Sequence, residues 1–543
     1  MKTSSETRIR QLEESGDWGS DTLHAMLAHW AQQNPNSLAV VDQPNRETLT
    51  GDQPQSLNWS ELDAASTNLA EQLAKQGIAS GDKVIVQLPN IVELVVCYFA
   101  LSKLGAIVSP LPVQYGAHEL QLAASALKPK LFISLPHFKE LPLAANARAA
   151  LPEVNVLEFG AGLVLKQDEG VSLDPVNKAG FTCAKDANQI LTIVWTSGTT
   201  GSPKGVPRSH NMWLASGRTS ATAASVNFND RLLCPFPLVN MAAIGGLLVP
   251  ALLFGCPLFL HHPFDPAIFL QQLKQESVSY TVVPPAMLNQ LAKNPQSWRQ
   301  LELDSIRTLA SGSAPLAPWM IKTFREEFGI EVVNMYGSNE GIALYATPEN
   351  APDAETRAGM FKKPEDSQFS TTKVADPETG EVKRNKGERG ELLVKGATVF
   401  DGYLEHDNKD VFDPQGFFRT GDLVEICGEH DEYYRIVGRC KDIINRGGMK
   451  ISPTEIDLLL ESYPDALEAA VCAYPDERLS EKICACMVMA PGSAAPTLES
   501  LQAWLLDKGL AKFKLPERIV LFDALPRNPL GKIKRFELSE SLD

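Results

Sequence analysis

The sequence predicts an α/β protein: a large N-terminal α/β domain built of several subdomains, followed by a small C-terminal α+β domain. Three observations carry this. The chain has 543 residues, and single hydrophobic cores stop growing near roughly 250–300 residues, so more than one domain is required. Over the first ~430 residues short apolar runs alternate with helical patterns, the order that builds parallel sheets. The remaining stretch breaks that order, with alternating strands around a Gly-Gly turn.

The elements follow in chain order. Asp21 is expected to N-cap a helix reaching Gln33, and residues 37–42 read as a strand. Residues 59–76 form an amphipathic helix that Gly77 terminates. A strand over 83–88 stops at Pro89, and Asn90 is expected to cap a helix running to Leu104, with Gly105 after it. Further strands are expected at 130–134, 189–196, 231–235, 279–283 and 307–310. Their lack of polar alternation implies a sheet covered on both faces. In the C-terminal part, strands at 440–444 and 449–451 flank Gly447-Gly448. A helix over 452–463 with Pro453 in its first turn follows, then strands near 469–473 and 483–489 and a helix over 498–508. The expected division is 1–438 and 439–543.

Bulk composition narrows the function classes. Net charge is −16, from 50 Lys+Arg against 66 Asp+Glu, which disfavours nucleic acid as a partner. Nine dispersed cysteines without a CxxC pair imply reduced thiols, hence a cytoplasmic setting and no metal cluster. The first twenty residues carry Lys2, Glu6, Arg8, Arg10, Glu13 and Glu14 with no apolar run, so no secretory signal is expected. Residues 241–260 are uncharged and long enough to cross a bilayer. They contain Gly245, Gly246, Pro250, Gly255 and Pro257, so a buried helix and a strand over 257–260 are expected in place of a membrane span.

The densest chemical signal is Thr196-Ser197-Gly198-Thr199-Thr200-Gly201-Ser202-Pro203-Lys204-Gly205, placed after an apolar strand. Glycines allow an anion to approach the backbone, and hydroxyls, N–H groups and Lys204 can meet phosphate oxygens. The spacing is not Gly-x4-Gly-Lys-Ser/Thr, which disfavours a kinase or GTPase-like ATPase.

This loop resembles the phosphate-loop signature of the adenylate-forming superfamily of acyl-CoA synthetases, aryl-acid and amino-acid adenylating domains, and luciferases. The resemblance covers nearly the whole chain. It implies that Thr196, Ser197, Gly198, Thr199 and Gly201 bind the nucleotide and that Thr200 helps hold Mg²⁺. Asn334-Met335-Tyr336-Gly337-Ser338-Asn339-Glu340 resembles the family's Tyr-Gly-x-Thr-Glu element. Tyr336 would stack on adenine, Asn334 would read its amino edge, and Glu340 would hold Mg²⁺. Asn339 stands where the family usually has Thr, and its amide is expected still to donate to the α-phosphate. Ser311-Gly312-Ser313-Ala314-Pro315 resembles the wall beside adenine and the acyl group. Asp422, in Arg419-Thr420-Gly421-Asp422, would accept from the ribose hydroxyls, with Arg439 beside it. Lys441 occupies the family's hinge position. Gly447, Gly448, Met449 and Lys450 match the pantetheine tunnel, and Lys532 matches the catalytic lysine of a C-terminal loop. The small domain is therefore expected to be mobile.

The expected activity is ATP-dependent activation of a carboxylic acid as an acyl-adenylate, then transfer to the thiol of coenzyme A, with ATP, Mg²⁺ and coenzyme A as cofactors. Lys532, Lys204, Glu340 and Thr200 are the expected catalytic groups. His210, Asn240, Met241, Gly312 and Gly341 are expected to line the acid site. No Asp lies between Arg231 and Asp265 to bind an α-amine, so amino acids are not expected. A short or medium aliphatic, alicyclic or aromatic acid fits better. Asn240 reads equally as a ring-hydroxyl partner or as a satisfied core amide. Two alternatives stay open: an aryl-acid ligase loading a carrier protein's phosphopantetheine, and a non-catalytic nucleotide-binding relative. No carrier domain is expected within the chain, and a homodimer is compatible with it.

Overall fold

Short runs of Val, Ile, Leu and Phe become the inner strands of two sheets in the first of two compact units. The computed structural model describes residues 1–160, 162–165, 181–196, 203–312, 316–364, 370–447, 449–476, 478–527 and 533–542. The first unit takes in Met1–Ala358, Pro364–Thr371 and Lys395–Phe418. The second takes in Gly359–Lys363, Thr372–Val394 and Arg419–Asp543.

An 8-stranded sheet of the first unit runs in the order Ala343–Ala346, Glu331–Gly337, Thr308–Gly312, Tyr280–Val282, Leu232–Cys234, Leu258–Leu260, Leu38–Val41, Ser56–Asn58. Its inner pairs are parallel and both outer pairs antiparallel. A 6-stranded sheet follows the order Asn155–Glu158, Leu131–Ser134, Lys83–Val86, Ile107–Pro110, Ile190–Thr196, Lys204–Ser209, parallel except for the last pair. The helix Val92–Leu104 is buried at every position, and its two charged residues, Glu93 and Lys103, are met there by Arg46 and Asp63. Phe259, Phe269, Leu309, Phe324 and Val332 fill one core, each contributing about 1.5–3 kcal/mol on full burial. In the larger sheet, Leu232–Cys234, Thr308–Gly312 and Glu331–Gly337 are parallel, so their carboxyl ends share one edge. Ligands of open α/β sheets bind at that edge. Each of the three strands runs there into a segment singled out above.

Several local expectations are corrected. The first of these helices is Leu23–Gln33, capped by Thr22 and not Asp21; the Thr22 side chain accepts from Ala25 N–H. Asn90 does not cap its helix. Val92 N–H is taken by Oδ1 of Asp42 at 2.8 Å, which frees Asn90 for another task. Residues 241–254 are helical, with a π-helical turn Ile244–Leu248 between Met241–Ala243 and Val249–Phe254, and the strand Leu258–Leu260 follows. Among the described residues no helix is long and apolar enough to cross a membrane.

The second unit holds most of a 6-stranded sheet that includes the antiparallel pair Phe418–Cys427 and Tyr433–Arg439, and a 5-stranded sheet built around Ala466–Asp476 and Ser480–Met489. The strand expected over 440–444 is instead a turn at 440–442 followed by a strand Ile444–Arg446. That turn joins the two sheets, so residue 439 lies inside this unit.

Candidate active site

The phosphate loop connects two antiparallel strands. Ile190–Thr196 pairs with Lys204–Ser209, and the hairpin closes at the pair Thr196↔Lys204. Ser197, Gly198, Thr199, Thr200 and Gly201 lie outside the described residues, as do Ser313, Ala314, Gly448 and Lys532. The strand register nonetheless puts Thr196 and Lys204 side by side where the loop leaves and returns. A strand on the return side was not expected from the sequence, because Pro203, Gly205 and Pro207 mask its pattern.

Lys204 Nζ sits over the ring of Tyr403, 4.8 Å from its centroid, and the Tyr403 hydroxyl donates to Oε1 of Glu340 at 2.8 Å. Leu404 N–H donates to Gly205 O and Phe400 N–H to Glu340 O, each at 2.9 Å. The segment 400–404 therefore spans from the hairpin to Glu340 and sets Tyr403 between two of the expected catalytic groups. Arg208 lies fully buried beneath them. It donates to the carbonyls of Asn339, Met212 and Thr398 and to the Ser216 hydroxyl at 2.8–3.1 Å, and it stacks on Trp213. Burial pulls its pKa down to about 9, an effect the negative charge of Glu340 opposes.

Tyr336 and Met335 lie on Glu331–Gly337, which pairs Ser311↔Asn334 and Gly312↔Met335 with the neighbouring strand. A Cβ on Gly312 would stand 2.1 Å from Met335 O, and one on Gly341 would stand 1.9 Å from Thr398 O at a φ of +105°. Both positions demand glycine. The Asn334 side chain donates to Arg357 O and Ala358 O at 3.0 and 2.9 Å. Both amide hydrogens are used, leaving its carbonyl as the acceptor suited to an adenine amino group. The Ser338 hydroxyl oxygen is buried with no hydrogen-bond partner among the described residues.

Asn339 is tied into the fold on both sides. Its Nδ2 donates to Trp195 O at 3.0 Å and its Oδ1 accepts from Met241 N–H at 2.9 Å. It ties the hairpin strand to the segment 235–243, and its second amide hydrogen has no partner among the described residues. That segment is held from the other side by Asn90, which donates to Phe236 O at 2.7 Å and accepts from Leu238 N–H at 2.8 Å, and by the Tyr98 hydroxyl on Leu238 O at 2.7 Å. Asn240 caps the short helix after it, accepting from Ala243 N–H at 3.1 Å. That resolves its carbonyl as structural and leaves its Nδ2 as the group that could face a ligand.

His210 is 2% exposed, its Nδ1 accepts from Leu23 N–H at 3.2 Å, and it meets His24 edge to face. Burial lowers its pKa to about 3. Through Nδ1 it fastens the helix Leu23–Gln33.

In the second unit, Asp422 and Arg439 are direct partners on adjacent strands and form an ion pair at 2.9 Å. The Thr420 hydroxyl donates to Leu392 O and Glu391 accepts from Gly421 N–H, which fixes the strand ahead of Asp422. Lys441 is exposed in the turn between the two sheets of this unit. The hairpin Ile444–Arg446 with Met449–Ile451 closes at Arg446↔Met449; Gly447 has a φ of +58° and Met449 is 41% exposed. On either side of the loop carrying Lys532, Arg527 and Ile533 form an antiparallel bridge.

These residues fit the expected ligands. The Ser338 hydroxyl, the Asn334 carbonyl and Lys204 suit a nucleotide. Glu340, 8% exposed, offers a hard oxygen of the kind a phosphate-borne Mg²⁺ takes from protein, while phosphates and water complete its shell. Among the described residues no group of three or more His, Cys, Asp or Glu could hold a metal alone. Sequence reading missed Tyr403, Arg208 and the part played by Asn90. None has a local signal, since each acts through a partner far away in the chain.

The family model described as AMP-binding enzyme matches residues 27–404, and that described as AMP-binding enzyme C-terminal domain matches 455–532. The chain is 30% identical over 543 residues to the salicyl-AMP ligase / salicyl-S-ArCP synthetase of Mycobacterium tuberculosis H37Rv, covering 96% of this chain and 91% of that protein. It is 28% identical over 554 residues to the medium-chain fatty-acid–CoA ligase of Escherichia coli K12, covering 99% and 94%. Among solved structures, ATP-bound MatB from Rhodopseudomonas palustris matches with a TM-score of 0.80 at 26% identity, covering 96% of this chain and 99% of that one.

Proposed function

Because this chain belongs to the AMP-binding enzyme family and is an adenylate-forming ligase, we propose that it converts a small carboxylic acid to its thioester with coenzyme A. The observation that carries this reading is the group Lys204–Tyr403–Glu340 at the mouth of a phosphate-loop hairpin, tied by Asn339 to the segment 235–243.

In the first half-reaction a carboxylate oxygen attacks the α-phosphorus of ATP. The bond from that phosphorus to the bridging oxygen breaks, and pyrophosphate leaves with the electron pair. Two anions must meet, so positive charge and correct placement are the requirements. Lys204 supplies charge at the hairpin, and Lys532 is assigned the same task from the C-terminal loop. Glu340 is assigned to hold Mg²⁺, which would neutralise phosphate charge when bound. Asn334 and Tyr336 are assigned to adenine, Asp422 and Arg439 to ribose. In the second half-reaction a thiol sulfur attacks the acyl carbon and AMP leaves. Lys441 is assigned as the hinge, and the hairpin around Gly447 as the passage for the pantetheine arm.

A second reading is favoured by one observation. Asn240 Nδ2 donates to no other group among the described residues, which suits a ring hydroxyl or phenolate. The substrate would then be a hydroxyaryl acid, and the acceptor a carrier-protein pantetheine, as the name of the Mycobacterium tuberculosis relative describes for that protein.

Acid-dependent ATP–pyrophosphate exchange across a panel of aliphatic, alicyclic and aromatic acids tests the first step. Offering free coenzyme A and a phosphopantetheinylated carrier protein to the preferred acid then separates the two acceptors. Absence of exchange with every acid would overturn the proposal.

A further inference from the structure

Residues 3–18 precede the first residue matched by the family model, yet they grip the turn that braces Glu340. Gly396, Ala397, Thr398, Val399 and Phe400 are consecutive, and the carbonyl of each accepts from a side chain outside the turn. Arg8 Nη2 donates to Gly396 O at 2.9 Å and Val399 O at 2.5 Å, and Arg8 Nη1 to Phe400 O at 3.5 Å. Trp18 Nε1 donates to Ala397 O at 3.0 Å, and Arg208 Nη2 to Thr398 O at 2.9 Å. Asp401, next in line, pairs with Arg8 and accepts from the hydroxyls of Thr3 at 3.1 Å and Ser4 at 2.5 Å.

We propose that this N-terminal segment is a working part of the nucleotide site, with Arg8 and Trp18 as positioning residues that hold the turn 396–401 and, through it, the carboxylate of Glu340. The physical case has three links. A tight turn presenting so many carbonyls needs a donor for each, and the segment supplies most of them. It is itself held by packing: Ile9 and Trp18 bury against Met212, Ala215 and Ala397, and the Arg8 guanidinium lies 5.4 Å from the Trp18 ring centroid. The turn then touches the site at three points. Phe400 N–H donates to Glu340 O, the Thr398 hydroxyl donates to Gly341 O at 2.7 Å, and Tyr403, two residues past Asp401, donates to the Glu340 carboxylate. A shift of about 1 Å in such a support can cost on the order of 100-fold in a reaction that depends on placement.

The inference rests on the reading of Glu340 as the carboxylate serving nucleotide-bound Mg²⁺. Its test uses the full-length protein and Mg²⁺ with α,β-methylene-ATP, which cannot release pyrophosphate. Arg8→Lys keeps the charge but loses the fork; Trp18→Phe keeps the ring and removes one donor. Calorimetric titration is expected to show about 5-fold weaker binding of the Mg²⁺ complex for Trp18→Phe, and about 10- to 100-fold for Arg8→Lys. Amide hydrogen exchange at Phe400 should accelerate in both, while the KM for the acid stays within about twofold on the same principle of local effect. Wild-type affinity and wild-type Phe400 exchange in both variants, with only a lowered unfolding midpoint, would overturn the inference and leave the segment a stabiliser. If wild type binds the analogue and the variants weaken as expected, but no acid supports exchange, the inference stands and the acid-activation reading falls.

Discussion

The Tyr403 hydroxyl donates to the Glu340 carboxylate at 2.8 Å while the same ring lies under the Lys204 ammonium. One side chain thus links the cation at the phosphate hairpin with the carboxylate assigned to the metal. Tyr403→Phe keeps the ring and its cation–π contact and removes a hydrogen bond to a charged group, worth about 1.5–3 kcal/mol. The expected result is a 10- to 100-fold fall in kcat/KM for Mg²⁺-ATP, roughly as that energy converts, with acid KM little changed. Pyrophosphate exchange at varied Mg²⁺ measures it, and an unaltered Mg²⁺ dependence would remove Tyr403 from the site.

Asn339 joins Trp195 O to Met241 N–H. Threonine cannot span both, so Asn339→Thr loses two neutral hydrogen bonds, about 0.5–1.5 kcal/mol each. Acid KM should rise by about 5- to 100-fold on that basis, more than the KM for ATP. A larger effect on ATP would mean that the residue serves the phosphate after all.

Gly341→Ala would set a methyl group into the Thr398 carbonyl at an unfavourable φ. Backbone must move, so a loss of about 2–4 kcal/mol is expected, together with weaker Mg²⁺-nucleotide binding. Denaturant unfolding beside calorimetry checks both. An alanine variant of wild-type stability would show that the Gly341–Thr398 approach is relaxed in solution.

His24 and His210 are held neutral by burial, with pKa values lowered from 6.5 to about 4 and about 3. Above pH 6.5 both states are neutral and stability does not depend on these groups. Below it the unfolded chain binds protons that the folded chain refuses, so stability falls as pH drops toward 4. The slope reaches about 1.4 kcal/mol per pH unit per group. His210→Asn, whose Oδ1 can still accept from Leu23 N–H, should flatten the curve between pH 6.5 and 4. Unfolding midpoints across that range would show it, and a curve parallel to wild type would contradict the assignment.

Lys532 and Lys441 are assigned to different half-reactions. Lys532→Ala should abolish adenylate formation yet leave thioester formation from supplied acyl-AMP. Lys441→Pro should spare adenylation and slow the thiol step. Equal losses in both half-reactions for either variant would refute that division.

The fold class, most strand positions and the phosphate loop were legible because they are written within short stretches of chain. Apolar runs report burial, glycine and proline report turns, and a donor-rich loop after a strand reports an anion. Expectations failed where a competitor from elsewhere took the place of a local group. Asp42 displaced Asn90 at a helix start.

The residues alone determined an anion-binding loop on an α/β scaffold, since periodicity and spacing are properties of neighbours along the backbone, while the nucleotide was implied by the resemblance those motifs carry. Tertiary structure decided how the site is braced. Tyr403 meets Glu340 across 63 positions, Asn339 meets Trp195 across 144, and Arg8 meets Gly396 across 388. Contacts of that span depend on sheet order and on the aim of side chains, and neither is encoded in any window of sequence short enough to read.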